Sequence, residues 1–288
     1  MIPRAFEYHA PQSIPDALGL LDRLGDDARL LAGGHSLLPM MKLRFAAPAH
    51  LIDLGRIAEL RGVREEGGTL RIGAMTAEHD ILASKLLQER CPLLVEAAGL
   101  IADPQVRYKG TLGGDISHGD PGNDHPAIML VLGASFVLRS SGGERVVPAS
   151  AFFLGPYATA MSPGEIMTEV RIPVPAPGTG CAYAKLKRKV GDFATAASAV
   201  LLRMKGDTVA DVAIALTNVG PTALKATAAE DSLKGKALDD ASIGEAARLA
   251  MDICDPATDQ RGDAEYRTAM AGEMTQRALR IAYSRAAR

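Results

Sequence analysis

Two glycine pairs carry the strongest chemical signal in the sequence. Gly33-Gly34 is followed by His35 and Ser36, and Gly113-Gly114 comes shortly after Thr111. Glycine has no Cβ, so it adopts positive φ and lets a ligand approach the backbone closely. Successive N–H groups in such segments form concave sites that suit phosphate. Two such segments facing each other could hold a pyrophosphate, with Ser36 and Thr111 as hydroxyl donors.

Each glycine pair, taken alone, favours a tight turn that joins a strand to a helix over a phosphate site. The chain has no G-x-G-x-x-G motif after a predicted strand and no G-x-x-x-x-G-K-[ST] motif. A Rossmann dinucleotide site and a P-loop are therefore not indicated.

Other arrangements with catalytic potential are lacking in the sequence. We find no Ser-His-Asp or Cys-His pattern and no carboxylate pair with a readable spacing, so no catalytic residue is assigned. Any chemistry would then belong to a bound cofactor. Cys91, Cys181 and Cys254 lie far apart without a C-x-x-C motif. This spacing argues against a disulfide framework and against a zinc or iron–sulfur site built by this chain alone.

Histidines close to the second glycine pair raise the question of a metal site. His118 and His125 flank Asp120 and Asp124. The segment between them reads D-P-G-N-D, which has the composition of a turn. We therefore assign no metal-ligating residue.

Composition narrows the function classes. The 288 residues carry a net charge of -2 and no basic stripe, so nucleic acid is not expected as a partner. The N-terminus lacks the apolar core of a secretory signal, and no apolar run approaches the ~18 residues of a membrane span. Together with well-separated cysteines, these features predict a cytoplasmic protein that does not span a membrane.

The elements that must position the glycine pairs can be predicted from periodicity and capping residues. Ser13 is expected to cap a helix that ends at Gly25, and Thr76 to open a helix that continues through Leu86. Asp124 could cap a later helix.

A change of pattern divides the chain. Mixed strands and helices fill residues 1–175, and Pro173–Gly180 (PVPAPGTG) is the predicted linker. Residues 176–288 contain three predicted antiparallel strands and then helices. The strands are Ala182–Lys187, Ala196–Met204 and Val209–Val219, and the helical segments are Ala223–Leu233, Ile243–Ile253 and Ala264–Ala286. This order predicts an α+β protein with domains at residues 1–175 and 176–288.

Two long motifs resemble a known family. LAGGHSLLPMMKLR and KGTLGGDISHGDPGNDHPAIMLVLGA are similar to the two flavin loops of the FAD-binding medium subunits of molybdenum hydroxylases. The similarity runs from RAFEYHAPQSIPDAL to the final helices, and it is strongest to the carbon monoxide dehydrogenase branch. The flavin domain of xanthine dehydrogenase is a more distant relative.

The resemblance implies a fold and a site. The fold would be an FAD-binding domain of the vanillyl-alcohol-oxidase (PCMH) type with two αβ subdomains, followed by a three-stranded antiparallel sheet with a helix bundle. The backbone of Ala32–Ser36 and of Thr111–Asp115 would hold the FAD pyrophosphate. The implied cofactor-binding residues are Ala32, Gly33, Gly34, His35, Ser36, Ile101, Thr111, Gly113, Gly114, Asp115, Asp124, Lys185 and Phe193.

Several of these residues have alternative interpretations. In some flavin oxidases of related fold a comparable histidine binds flavin covalently, but they pair it with an arginine where this chain has Leu31, so we expect His35 to make a non-covalent contact. Asp115 stands where relatives similar to xanthine dehydrogenase have asparagine, and a carboxylate beside a pyrophosphate is unfavourable unless it points away. Lys185 could equally lie on the surface, and Ile101 and Phe193 could be ordinary core residues.

The family resemblance implies a function in electron transfer. FAD would collect electrons from iron–sulfur clusters in a small subunit, which receives them from a molybdopterin large subunit, in a dimer of heterotrimers. The substrate could be carbon monoxide, an aldehyde or an N-heterocycle. Two alternatives stay open: a non-catalytic assembly subunit that has lost FAD, and a standalone FAD-dependent NAD(P)H oxidoreductase.

Overall fold

The structure, a computed structural model, describes residues 1–286. The chain begins with a parallel sheet of three short strands, in the order β1-β3-β2, covered by a helix. Its elements are β1 (Glu7–His9), α1 (Ile14–Leu24), β2 (Ala28–Leu31), α2 (Leu37–Lys42) and β3 (His50–Asp53).

Helix α1 forms as predicted and buries its apolar face on this sheet. The Ser13 hydroxyl accepts a hydrogen bond from the Asp16 N–H at 3.2 Å, and Gly25 ends the helix at φ 53°. Ile14 and Leu18 recur on one face and pack in a core that includes Ile52. The small sheet thereby holds the end of β2, where the first glycine pair begins, in a fixed place.

A five-stranded antiparallel sheet, in the order β4-β5-β10-β6-β7, forms the centre of the next region. Helices packed against it carry the second glycine pair. The elements in chain order are β4 (Val63–Glu66), β5 (Thr69–Gly73), α3 (Glu78–Ala83), α4 (Lys85–Arg90), α5 (Pro92–Leu100), α6 (Pro104–Arg107), α7 (Leu112–His118), α8 (His125–Val131), β6 (Ser135–Ser140), β7 (Gly143–Pro148), β8 (Phe153–Gly155), β9 (Ala158–Thr159) and β10 (Ile166–Pro173).

The region after residue 179 is an antiparallel sheet, in the order β11-β12-β13-β14, backed by helices. Strand β14 adds a two-residue fourth strand to the three that were predicted. The elements are β11 (Gly180–Leu186), β12 (Ala196–Lys205), β13 (Thr208–Thr217), β14 (Leu224–Lys225), α9 (Thr227–Leu233), α10 (Asp240–Met251) and α11 (Ala264–Arg285). The predicted α+β class is confirmed.

One predicted helix is wrong. The helix expected from Thr76 through Leu86 is instead the pair α3 and α4, because Ser84 interrupts it and caps the second helix through the Leu87 N–H at 3.3 Å. Thr76 lies outside both helices, and its buried hydroxyl contacts the N–H and the carbonyl of Gly62 at 3.1 and 3.2 Å. A threonine that bonds to a distant backbone segment cannot be distinguished from a helix cap by sequence alone.

Candidate functional site

The predicted cofactor-binding residues, all thirteen of them, line a single cleft with a volume of about 730 Å³. They reach it from three places: the loop after β2, the segment from α5 to α8, and the sheet after residue 179. The residues are Ala32, Gly33, Gly34, His35, Ser36, Ile101, Thr111, Gly113, Gly114, Asp115, Asp124, Lys185 and Phe193. Residues far apart in sequence thus form one site.

The first glycine pair presents free backbone donors to the cleft. Gly34 has φ 79°, which other residues rarely adopt, and this conformation turns the chain from β2 into α2. Within residues 1–286, the N–H groups of Gly34, His35 and Ser36 donate to no other protein group. Adjacent free N–H groups of this kind suit an anion.

The second glycine pair differs from the predicted turn. Gly113 and Gly114 lie in the first turn of α7, which Thr111 caps by accepting the Gly114 N–H at 3.2 Å. The N–H groups of Leu112, Gly113, Gly114 and Asp115 all donate within the protein. The second segment therefore faces the cleft mainly with the Thr111 hydroxyl and with glycine surface, whereas the sequence predicted amide donors from both segments.

Gly33 and Gly113 do not have positive φ, and close packing explains why both positions are glycine. A Cβ on Gly33 would lie 2.3 Å from the Lys109 carbonyl oxygen, and one on Gly113 would lie 2.5 Å from the Ala74 Cβ. Gly33 therefore packs on the backbone just before the second glycine pair, whereas Gly113 packs on Ala74, and neither position has room for a side chain.

Asp115 lies in the wall of the cleft, and one of its carboxyl oxygens is buried. The residue is only half-buried as a whole, but its Oδ1 is buried and contacts no hydrogen-bond partner in the described part of the chain. Burial raises the pKa of Asp115 to about 8, against the opposing charge of His125. The raised pKa favours the neutral carboxylic acid, which can donate a hydrogen bond and repels a phosphate less than a carboxylate does.

A buried ion pair lies behind Asp115. His125 Nε2 and Glu78 Oε2 are 2.9 Å apart, and both side chains are almost fully enclosed. Burial lowers the pKa of His125, but Glu78, Asp115 and Asp124 outweigh that effect and raise it to about 9. His125 is therefore engaged with Glu78 rather than with His118, Asp120 and Asp124 as a metal ligand set. Sequence reasoning gave no role to Glu78, which also lines the cleft.

Asp124 links the second segment to the last sheet. It stands at the N-terminus of α8, but its carboxylate accepts hydrogen bonds from the Tyr183 hydroxyl at 2.5 Å and from Lys185 Nζ at 2.6 Å. The side chain of Lys185 is 1% exposed, and its Nζ also donates to the Leu100 carbonyl at 3.3 Å. The surface position considered for Lys185 is thus wrong.

Tyr183 does not line the cleft but holds Asp124, which does, and sequence reasoning gave Tyr183 no role. Its hydroxyl bonds both to Asp124 and, at 3.2 Å, to Thr217 Oγ1. Burial and the neighbouring Asp124 carboxylate raise the pKa of Tyr183 well above its ordinary value. The alternation in β11 puts Tyr183 and Lys185 on the same face of the strand, which is the one signal that could have connected them.

The mouth of the cleft carries apolar side chains. Phe193 is 46% exposed, and the Arg261 guanidinium lies 5.6 Å from the centre of its ring. Ile101 follows α5, and the Arg107 guanidinium holds its carbonyl at 2.7 Å. Since Phe193 is exposed, the interpretation of it as a core residue is wrong.

Comparisons with known proteins define the class of the chain. The family model described as FAD binding domain in molybdopterin dehydrogenase matches residues 4–175, and the CO dehydrogenase flavoprotein C-terminal domain matches residues 181–282. The chain is 59% identical over 287 residues to the carbon monoxide dehydrogenase medium chain of Hydrogenophaga pseudoflava, covering 100% of both chains. It is 53% identical over 286 residues to the corresponding chain of Afipia carboxidovorans, covering 99% of each.

A solved structure agrees with this match. Carbon monoxide dehydrogenase from Hydrogenophaga pseudoflava, in a form that lacks the Mo-pyranopterin moiety, superposes with a TM-score of 0.98 at 61% identity and covers 100% of both chains. The chain therefore belongs to the family of FAD-binding medium subunits of molybdenum hydroxylases. It is the flavoprotein subunit of a molybdenum-dependent oxidoreductase, and its cofactor is FAD.

The cleft fits FAD in size and chemistry. Its volume lies in the range of cofactor sites. Free N–H groups at one glycine pair suit the pyrophosphate, and the buried, unpaired Oδ1 of Asp115 leaves hydrogen-bonding capacity in the wall. Apolar lining from Ile101 and Phe193 suits a flat ring system.

Within residues 1–286, no helix combines the length and apolar character that crossing a membrane requires.

Proposed function

We propose that this chain binds one FAD non-covalently and transfers electrons from iron–sulfur clusters in a partner subunit to an external acceptor. The single observation that supports this most strongly is the convergence of all thirteen predicted residues on one cleft. We further propose that the FAD-binding domain spans residues 1–175 and that residues 176–288 form the second domain. The linker segment between β10 and β11 supports that boundary.

In this proposal the side chains bind and orient the cofactor rather than react. When bound, FAD accepts electrons singly and releases them in pairs. The N–H groups of Gly34, His35 and Ser36 bind phosphate oxygens, and the Thr111 hydroxyl donates from the opposite side. Asp115 stays neutral and adds no repulsion.

In this proposal the second domain contributes Lys185 and Phe193, which would lie next to the flavin ring. Lys185, held by Asp124, brings a buried cation to the wall, which favours negative charge nearby. Phe193 covers apolar surface at the mouth and excludes water from it. A cleft built from both domains holds the cofactor in one orientation, which electron transfer over a fixed distance requires.

We propose carbon monoxide as the substrate of the assembled enzyme. Both relatives reported above at more than 50% identity are carbon monoxide dehydrogenase medium chains. The iron–sulfur and molybdopterin subunits would be separate chains. Cys91, Cys181 and Cys254 are free thiols, and three cysteines are fewer than the four that one iron–sulfur cluster takes. A dimer of heterotrimers in the cytoplasm is the proposed assembly.

The two alternative functions fit less well. Loss of FAD was suggested only by Asp115, and a neutral Asp115 removes that argument. A standalone NAD(P)H oxidoreductase would need a second nucleotide site, and no feature of the described residues singles one out.

Purification of the chain with and without co-expressed partner subunits tests the proposal. We expect a yellow protein with one FAD per chain, all of it released by acid precipitation, and elution with both partners in gel filtration. A colourless chain would favour the assembly subunit. A chain that elutes alone and is reduced rapidly by NADH would favour the standalone oxidoreductase.

A further inference from the structure

The N-terminal sheet brings three potential metal ligands together, away from the cleft. Strand β1 runs parallel to β3, and Glu7 lies directly opposite His50. His9 lies two residues after Glu7, so its side chain leaves the strand on the same face. One ligand atom from each of Glu7, His9 and His50 lies within 4.8 Å of the other two.

The spacing of these atoms resembles a metal coordination shell. His9 Nε2 and His50 Nδ1 are 3.2 Å apart. Glu7 Oε2 lies 3.4 Å from His50 Nδ1 and 4.0 Å from His9 Nε2. In a tetrahedral zinc site, bond lengths of about 2.0–2.1 Å place neighbouring ligand atoms about 3.3 Å apart. The Glu7 carboxylate, whose side chain is 74% exposed, must move closer to His9. The two imidazoles share a hydrogen bond, so they must also turn until both nitrogens face the ion.

The two imidazoles are positioned but accessible. Their side chains are 21% and 20% exposed for His9 and His50, so the sheet holds them while solvent reaches their nitrogens. We propose that Glu7, His9 and His50 bind a divalent transition-metal ion, zinc above all, with water in the fourth position. Two histidines and one carboxylate form a ligand set that zinc accepts.

The proposed ion would join the edge strand β1 to the central strand β3. Strand β1 has only three residues and pairs on one side, so a metal bridge would hold the N-terminus to the sheet. His50 pairs with Ala28 at the start of β2, whereas the first glycine pair follows the other end of β2. The proposed metal site is therefore about 13 Å along the strands from the segment Ala32–Ser36, and it would stabilise the chain without entering the cleft.

Zinc titration of the full chain by calorimetry, after treatment with a chelator, tests the proposal. The variants are His50→Ala and Glu7→Gln, and the control is His79→Ala, a partly buried histidine outside the cluster that stacks on Tyr108. We expect one zinc per chain for the wild type and for His79→Ala. Loss of an outer-shell partner costs about 10–100-fold in metal affinity, so loss of a direct ligand in His50→Ala should cost about 100-fold or more.

A thermal unfolding measurement covers the possibility that His50→Ala folds poorly. Zinc at about 100 times its dissociation constant should raise the unfolding midpoint of the wild type and of His79→Ala by about 5 °C. Glu7→Gln alters only an exposed side chain, and its midpoint should rise clearly less at the same zinc concentration. Equal zinc binding by wild type, His50→Ala and Glu7→Gln, or no stoichiometric binding by the wild type, would show that the cluster is only a hydrogen-bonded histidine pair. FAD content should be the same in all four proteins.

Discussion

At the scale of single residues, burial changes the protonation of Asp115, which lines the cleft. A fully solvated aspartate is an anion at neutral pH, but burial raises the pKa of Asp115 to about 8. An acid next to a phosphate can then donate a hydrogen bond instead of repelling the ligand. The raised pKa depends on burial in the folded chain, which the sequence does not show, so the sequence left the role of Asp115 open.

Asp115→Asn should make the chain more stable, by an amount that depends on pH. The unfolded chain releases the Asp115 proton near pH 4, whereas the folded protein keeps it until about pH 8. The contribution of Asp115 to the free energy of unfolding therefore falls as pH rises from 4 to 8 and is constant above that range. In urea unfolding, the advantage of Asp115→Asn should grow across this interval by more than about 1.4 kcal/mol, the value of a single pKa unit. An advantage that is independent of pH would contradict the assignment.

Lys185→Met should destabilise the protein strongly. The substitution leaves the buried Asp124 carboxylate without its cation, and breaking one side of such a pair costs about 3–5 kcal/mol. The matched control is Lys187→Met, which removes a lysine close by with only a weak contact to the Leu100 carbonyl. Combining Lys185→Met with Asp124→Asn should restore part of the loss. Equal effects of Lys185→Met and Lys187→Met on urea unfolding would refute the buried pair.

At the scale of elements, the sequence predicted most of the framework. Ser13 and Gly25 marked the ends of α1, because capping is a local interaction that sequence displays. Features that depend on distant partners were not predictable. Thr76 forms hydrogen bonds with Gly62 instead of capping a helix. Lys185 forms a buried ion pair with Asp124, which is 61 positions away in the sequence.

The candidate site shows the same division. The two glycine pairs could be recognised as candidate site segments from sequence alone, because a close approach to the backbone requires glycine. Their unequal roles could not be read, because the position of Gly113 and Gly114 inside α7 depends on the Thr111 cap and on packing against Ala74. Glu7 and His50 lie 43 positions apart, so only the strand register brings them together.

Gly34→Ala should lower FAD retention far more than it lowers stability. At φ 79° a Cβ costs about 1–2 kcal/mol in backbone strain, and in Gly34 it also points at Leu38 at 3.0 Å. Gly68→Ala is the matched control, because φ is 75° and nothing lies within 4 Å of its Cβ, far from the cleft. Both variants should lose similar stability in urea unfolding, but only Gly34→Ala should purify with less than one FAD per chain. Full FAD in both variants would contradict the role of the first glycine pair.

At the scale of the whole molecule, the cleft is made by both halves of the chain. Loops from the first 175 residues line the cleft with the N–H groups that we propose bind phosphate, and β11 contributes Lys185 from the last sheet. Neither half alone completes the site. The reaction itself would be divided in the same way, with this chain binding FAD and partner chains supplying the clusters and the molybdenum centre.

The most direct test of this account is anaerobic reduction of the bound flavin, followed by its absorbance. In the complex of the three co-expressed subunits, carbon monoxide should bleach the flavin band. In the isolated chain, the same gas should leave the band unchanged, and NADH should bleach it only slowly. Rapid bleaching of the isolated chain by NADH, with no response to carbon monoxide in the complex, would contradict the electron-transfer role proposed here.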